Sequence, residues 1–165
     1  WNPSIKSAAD NHGLLKALNE DILDIIATDH APHTLEEKSQ AYSAAPSGGP
    51  LVQHALLAML DKVQEGRISI ERVVEKMAHA PATLFRIEER GFIREGYHAD
   101  LVLVKPEAGE VVTKSNVLYK CAWSPFEGHQ FAHQIHSTYV NGNCVYNNGQ
   151  IQEGSNGQRL AFSPR

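Results

Sequence analysis

The run Thr28-Asp29-His30-Ala31-Pro32-His33 gathers one carboxylate and two imidazoles into a short stretch. Both side-chain types serve as metal ligands or as substrate contacts. A carboxylate beside a metal-bound hydroxide can take its proton as the oxygen attacks a carbonyl, then return that proton to a leaving nitrogen. Asp29 suits that work. Taken by itself the run fits blander roles better, with Asp29 capping a turn and either histidine a hydrogen-bonded buried group.

The elements around this run decide where it would stand. Leu23 to Thr28 reads L-D-I-I-A-T, a mostly apolar, β-branched run suited to a strand buried on both faces, and a strand that ends in a polar cluster matches the catalytic edge of a parallel barrel. Upstream, Ser7 and Asp10 form a capping-box pattern before Leu14, Leu15, Leu18 and Ile22, which predicts a helix at about 8–19. Downstream, Thr34 to Gly49 is polar, Gly-containing and longer than an ordinary connection, as functional loops are. From Pro50, the spacing of Val52, Ala55, Leu56, Met59, Leu60 and Val63 predicts a helix that stops at Gly66. A second helix is expected from Ile70 to about Ala78, capped by Ser69 and broken by Pro81, which starts another turn or two.

Beyond Arg90-Gly91 the period changes. Leu101–Val104 reads as a buried strand, and His136–Val140 and Cys144–Tyr146 flank the hairpin signal Asn141-Gly142-Asn143. Two parts are therefore expected, 1–88 and a β-rich 89–165.

Bulk properties narrow the function classes. The 165 residues are 42% hydrophobic, enough for one sizeable core. A net charge of −4, with 15 basic residues spread along the chain, offers no stripe for nucleic acid or an anionic membrane surface. No run approaches the roughly 20 apolar residues of a membrane span, and no secretory signal opens the chain, so a small-molecule ligand and a cytoplasmic address are expected. Cys121 and Cys144 lack a CxxC spacing and are expected to be reduced thiols without an assigned role. The chain opens on Trp1-Asn2-Pro3 without an initiator methionine, as a piece of something longer would.

The text T-D-H-A-P-H after a short apolar run resembles the motif following the last barrel strand of dihydroorotases, in the amidohydrolase superfamily. Other segments are similar in the same order. Asn2-Pro3 resembles an N-P-P segment, and Ala45-Pro46-Ser47-Gly48 resembles the loop that closes over the bound ring. Ala80-Pro81-Ala82-Thr83-Leu84-Phe85 looks like the N-P-A-x-x-F helix start. Gly91-Phe92-Ile93 through Gly96, with Ala99-Asp100-Leu101-Val102-Leu103-Val104, looks like the entry to that family's β-sandwich. Trp123-Ser124-Pro125-Phe126-Glu127-Gly128 and the Val140-Asn141-Gly142 hairpin also match.

This resemblance implies an α/β fold, the C-terminal fragment of a (β/α)8 barrel followed by part of a small β-sandwich. It implies reversible, zinc-dependent hydrolysis of dihydroorotate to carbamoyl-aspartate in pyrimidine biosynthesis. Asp29 would be both a ligand in a two-zinc centre and the general acid/base. Asn2, His33 and the Ser47-Gly48 backbone would contact substrate, while His30 carries no transferable role and is expected to be a hydrogen-bonded structural histidine. His54, His79 and His98 are expected in helices or turns, and His129, His133 and His136 on the surface of the β part. An imidazole at His33 suits a substrate bearing a carboxylate, which favours dihydroorotate over the uncharged rings of allantoinases and hydantoinases. The same resemblance implies an H-x-H pair, a carboxylated lysine and two further histidines. No H-x-H occurs in this sequence. The missing N-terminal part of the same protein is therefore an expected partner, a homodimer is a possible assembly, and the isolated chain should be inactive, with apolar helix faces left open. The competing function is a non-catalytic, amidohydrolase-like scaffold subunit; a small autonomous binding module is the third.

Overall fold

The computed structural model describes residues 4–106, 109–154 and 157–164. Helix α1 (Ala8–Asn19) starts where the capping box places it: Ser7 Oγ accepts the Asp10 N–H at 3.2 Å, and Asp10 Oδ2 accepts the Ser7 N–H at 2.8 Å. After α1 the chain turns through Asp21 at φ 63°. The Asp21 carboxylate pairs with Lys76, whose side chain is only 2% exposed. A buried ammonium needs such a partner. Their hydrogen bond, reinforced by the ammonium's charge, holds the Asp21 carboxyl below the usual carboxylate range. Ile26 N–H then donates to the Lys76 carbonyl at 3.0 Å. These contacts tie the segment before Asp29 to a helix.

That segment is not the expected strand. Residues 24–29 belong to no ladder, and Ile22 and Leu23 are exposed. A strand exists only through its neighbours, and among the described residues none lies alongside.

Helix α2 (Leu35–Lys38) is a single turn within the polar loop, and α3 (Ala55–Gln64) begins later than Pro50 because 52–54 form a turn. Beyond α3, Pro81 does not break the helix. The chain stays helical from α4 (Ile70–Val74, capped by Ser69) through a π turn at Glu75–His79 into α5 (Ala80–Leu84). A proline ring crowds the carbonyl four residues before it, and the wider π turn relieves that clash. Leu18, Ile68 and Val73 form one buried cluster, with Leu15, Ile26, Leu56, Met59, Val63 and Met77 packed against it.

The last part is a four-stranded antiparallel sheet in sequence order, β1 (Leu101–Lys105), β2 (Gln134–Val140), β3 (Asn143–Asn147) and β4 (Gln150–Ile151). The β2–β3 turn has φ 51° at Asn141 and φ 80° at Gly142, as a type I′ hairpin requires. β1 is half exposed rather than buried, with Val102 47% and Leu103 45% accessible on opposite faces of an edge strand.

Arg90 holds the entry to this sheet. Its buried guanidinium pairs with Asp100 and donates to Asn141 Oδ1 at 2.6 Å, while Asp100 Oδ1 accepts the Asn141 N–H at 2.7 Å. Gly91 beside it has φ 80°, and a Cβ there would lie 2.4 Å from Ala82 Cβ and 2.8 Å from the Ala78 carbonyl oxygen. Gly91→Ala is therefore expected to destabilise the complete protein by about 2–4 kcal/mol, through overpacking and a left-handed alanine. Thermal or urea unfolding checks this, and an unchanged midpoint contradicts it.

Helix α3 is locked to the 116–132 stretch. Gln53 N–H donates to Tyr119 Oη, its Nε2 to the Asn116 carbonyl, and its Oε1 accepts the Leu118 N–H, each at 2.8 Å. His54 is buried, meets Ser124 Oγ at 3.1 Å through Nδ1, and stacks on Phe131 with centroids 5.6 Å apart. Burial pushes its pKa down. The unfolded chain then binds a proton that the folded chain refuses, so this stability contribution is lost as pH falls below the ordinary histidine value near 6.5. His54→Gln should flatten the fall in urea midpoint between about pH 7 and 5. Identical pH slopes for the two proteins would count against this.

The accessible surface is 11113 Å², whereas a compact monomer of this mass exposes about 8,100 Å². Leu14, Val74 and Leu84 on the helices, and Ile22 and Phe85 just outside them, are exposed. No helix is long and apolar enough to cross a membrane among the described residues.

Candidate active site

Asp29 ends the ladderless segment in the left-handed region, at φ 44°. Few residues without a glycine's freedom sit there, Asp and Asn more readily than most, and the strain costs on the order of 1–3 kcal/mol. Its side chain is exposed, and among the described residues nothing donates a hydrogen bond to its carboxylate. The backbone turn therefore aims a free carboxylate out of the fold.

The loop after Asp29 folds back on it. His30 bridges Gly49 in a parallel arrangement, and the Ala31 N–H donates to the Gly49 carbonyl at 3.0 Å. Gly48 packs so closely on Ala31 that a Cβ would come within 2.7 Å of the Ala31 Cβ and 3.9 Å of the Asp29 carbonyl oxygen; its φ is 87°. Only glycine meets both conditions. Ser47 beside it is exposed. The structure thus brings Asp29 and the Ser47-Gly48 backbone together, while Asn2 lies outside the described residues.

His33 stands four residues from Asp29, on the approach to α2. Its Nδ1 lies 3.8 Å from Glu37 Oε2, and its carbonyl accepts the Trp123 indole N–H at 2.8 Å. Glu37 is itself held by the α2 capping box, with Oε2 accepting the Thr34 N–H at 2.7 Å, which depresses its carboxyl pKa. Trp123 reaches this loop from the far part of the sequence and fixes the His33 backbone.

His30 is structural, as expected. Its Nδ1 accepts from the Leu51 and Val52 N–H groups at 3.0 and 3.3 Å, so a neutral ring carries its proton on Nε2. The ring also packs on Tyr119, 5.2 Å between centroids. His54 lies in the turn before α3, and His129 is half exposed with Nε2 on Asp61 at 2.8 Å. His133 departs from a surface role: its Nδ1 is buried, without a hydrogen-bond partner among the described residues.

Lys38, at the end of α2, is a residue that sequence reading passes over. Its Nζ donates to the carbonyls of Pro46 at 2.6 Å and Gly48 at 2.9 Å. Nothing in the local sequence marks it, since a lysine in a polar loop ordinarily faces water.

A catalytic metal centre needs several ligands. Among the described residues no three His, Cys, Asp or Glu side chains lie together so as to hold a metal ion. By themselves these residues do not fit such a centre; Asp29 offers one carboxylate.

The profile of the Amidohydrolase family matches residues 5–145. Among curated relatives, a dihydroorotase of Halobacterium salinarum is 41% identical over 128 residues, covering 78% of this chain and 30% of that protein. An allantoinase of Bacillus velezensis is 34% identical over 151 residues, 89% of this chain and 32% of that protein. Among solved structures, an L-hydantoinase (dihydropyrimidinase) from Arthrobacter aurescens superposes with a TM-score of 0.83 at 29% identity, covering 91% of this chain and 34% of that one. The chain spans about a third of the length of the relatives it matches.

Proposed function

The chain belongs to the amidohydrolase family, and we propose that it is the C-terminal third of a metal-dependent cyclic amidohydrolase, specifically a dihydroorotase. The carrying observation is the strained Asp29 with its free, exposed carboxylate, whose backbone lies against Gly48 and which stands four residues from His33 along the same turn-rich loop. The dihydroorotase of Halobacterium salinarum, 41% identical, supports the choice of substrate, as does the imidazole at His33 for a carboxylate-bearing ring.

In this proposal residues 1–88 are the end of a (β/α)8 barrel and 89–165 part of a β-sandwich. The ladderless segment at 24–29 and the excess accessible surface support it, because both are what a barrel strand and its helices look like without their neighbours. The remaining metal ligands then belong to protein outside this chain. With those ligands in place, Asp29 would be one ligand of a metal pair, zinc in this proposal, which would supply Lewis-acid polarisation of the carbonyl.

Asp29 carries the proton. Hydrolysis adds water oxygen to the ring carbonyl and breaks the carbonyl–nitrogen bond; Asp29 takes the proton from water and hands it to the departing ring nitrogen. Ring closure runs the same transfer backwards and releases water. His33, with Asn2, holds the substrate carboxylate, and the Ser47-Gly48 backbone holds the ring. The free thiols Cys121 and Cys144 agree with a cytoplasmic setting.

The test is turnover by the complete protein on carbamoyl-aspartate, allantoin and hydantoin. A preference of about 100-fold or more in kcat/KM for carbamoyl-aspartate is expected, the discrimination available when a site built for a charged group is left unpaired by a neutral ring. Preference for a neutral ring supports the allantoinase or hydantoinase alternative, and no turnover on any of the three supports the scaffold subunit.

A further inference from the structure

Lys38 occupies an unusual setting for a lysine. It is partly buried, no carboxylate lies within ion-pairing distance among the described residues, and its two acceptors are the backbone oxygens of Pro46 and Gly48. Removing an ammonium from bulk water without a counter-ion has a cost. Surface lysines avoid it by turning outward.

The two carbonyls bracket Ser47. The Pro46 carbonyl shares its peptide unit with the Ser47 N–H, and nothing among the described residues accepts that N–H. An ammonium on the carbonyl oxygen polarises the peptide and strengthens the N–H on its other side. The second bond, to Gly48, fixes the strap where Gly48 is already pressed on Ala31 with φ 87°. Holding both oxygens with one side chain sets the direction of the donor between them.

We infer that Lys38 is a positioning residue for anionic substrate, which aims and strengthens the Ser47 N–H by holding that group's own peptide through the Pro46 oxygen and the following Gly48–Gly49 peptide through the Gly48 oxygen. It acts through the strap and does not touch the substrate. The inference deepens the dihydroorotase proposal and rests on it for the identity of the anion.

The experiment compares unsubstituted complete protein with Lys38→Met and Lys38→Arg, measuring steady-state kinetics with carbamoyl-aspartate, amide hydrogen exchange of peptides covering residues 41–50, and the thermal melt. Lys38→Met is expected to raise KM about tenfold while kcat stays within about threefold, the pattern of a lost ground-state contact. Exchange at 41–50 should quicken, with the melt nearly unchanged. Lys38→Arg, which keeps the charge and the donors, should recover most of the KM. Unchanged KM in Lys38→Met overturns the inference, whatever happens to exchange. A melt lowered equally in both variants, with no recovery by Arg, assigns Lys38 a purely structural role and also overturns it. If the unsubstituted protein fails to turn over carbamoyl-aspartate, the dihydroorotase proposal falls; unaltered exchange at 41–50 in Lys38→Met would then separately refute the clamp.

Discussion

Asp29→Asn in the complete protein is expected to lower turnover of carbamoyl-aspartate by about a thousandfold or more, the range that a positioned general acid/base commands. Asparagine is the sharpest substitution for this purpose. It keeps the size of the side chain, and it tolerates the left-handed conformation that residue 29 adopts at φ 44°. No hydrogen bond to the Asp29 carboxylate is lost among the described residues, and the side chain is exposed, so the melting temperature should stay nearly constant. A large kinetic loss with an intact fold separates chemistry from stability. What the amide lacks is the ability to take up a proton and give it back. Turnover within about tenfold of the unsubstituted protein would show that some other group moves the proton.

His33→Ala should act on a different parameter. If the imidazole pairs with the substrate carboxylate, its removal forfeits a charge-assisted hydrogen bond worth about 1.5–3 kcal/mol, which is about a 10- to 150-fold loss in kcat/KM. The loss should fall mainly on KM. The main-chain carbonyl of residue 33 still accepts the Trp123 indole N–H, because that bond does not involve the side chain. The strap and the β part should therefore remain in register. His33→Asn restores a donor at shorter reach and should recover part of the loss. Initial-rate kinetics over a range of carbamoyl-aspartate concentrations decide the matter, and a His33→Ala enzyme with unaltered KM would remove this residue from the substrate contacts.

These expectations draw on a part of the molecule that was only partly legible from residue order. Helix α1 was readable to its ends because Ser7 and Asp10 sit at capping-box spacing, a local signal that needs no tertiary partner. The Asn141-Gly142 hairpin was readable for the same reason, since the turn demands two residues at positive φ. The segment before Asp29 was not. Its β-branched run describes what the chain prefers beside other strands, and no neighbour is present among the described residues. Pro81 misled in the opposite direction: proline forbids a regular α-helix behind it, but a π turn is a second solution that composition does not announce.

The site divides in the same way. Asp29 and His33 were visible as residue types suited to chemistry in a short run, and Gly48 as part of a loop whose sequence resembles a ring-closing one. The geometry added what spacing cannot carry: the left-handed turn at Asp29, the close approach of Gly48 to Ala31, and the role of His30 as an acceptor for the turn before α3. Lys38, and the contact that Trp123 makes, became apparent only in three dimensions, because each side chain acts on backbone carbonyls distant in sequence, eight residues away for Lys38–Pro46 and 90 for Trp123–His33. Backbone acceptors leave no trace in side-chain patterns.

The most direct measurement is a crystal structure of the complete protein with dihydroorotate bound, collected at the zinc absorption edge. The expected result is an anomalous peak at coordination distance from the Asp29 carboxylate, with the ring seated against the Ser47-Gly48 backbone and its carboxylate on His33. An anomalous peak remote from Asp29, or a ring bound away from the 46–49 strap, would contradict the assignment of this corner of the molecule to the active site.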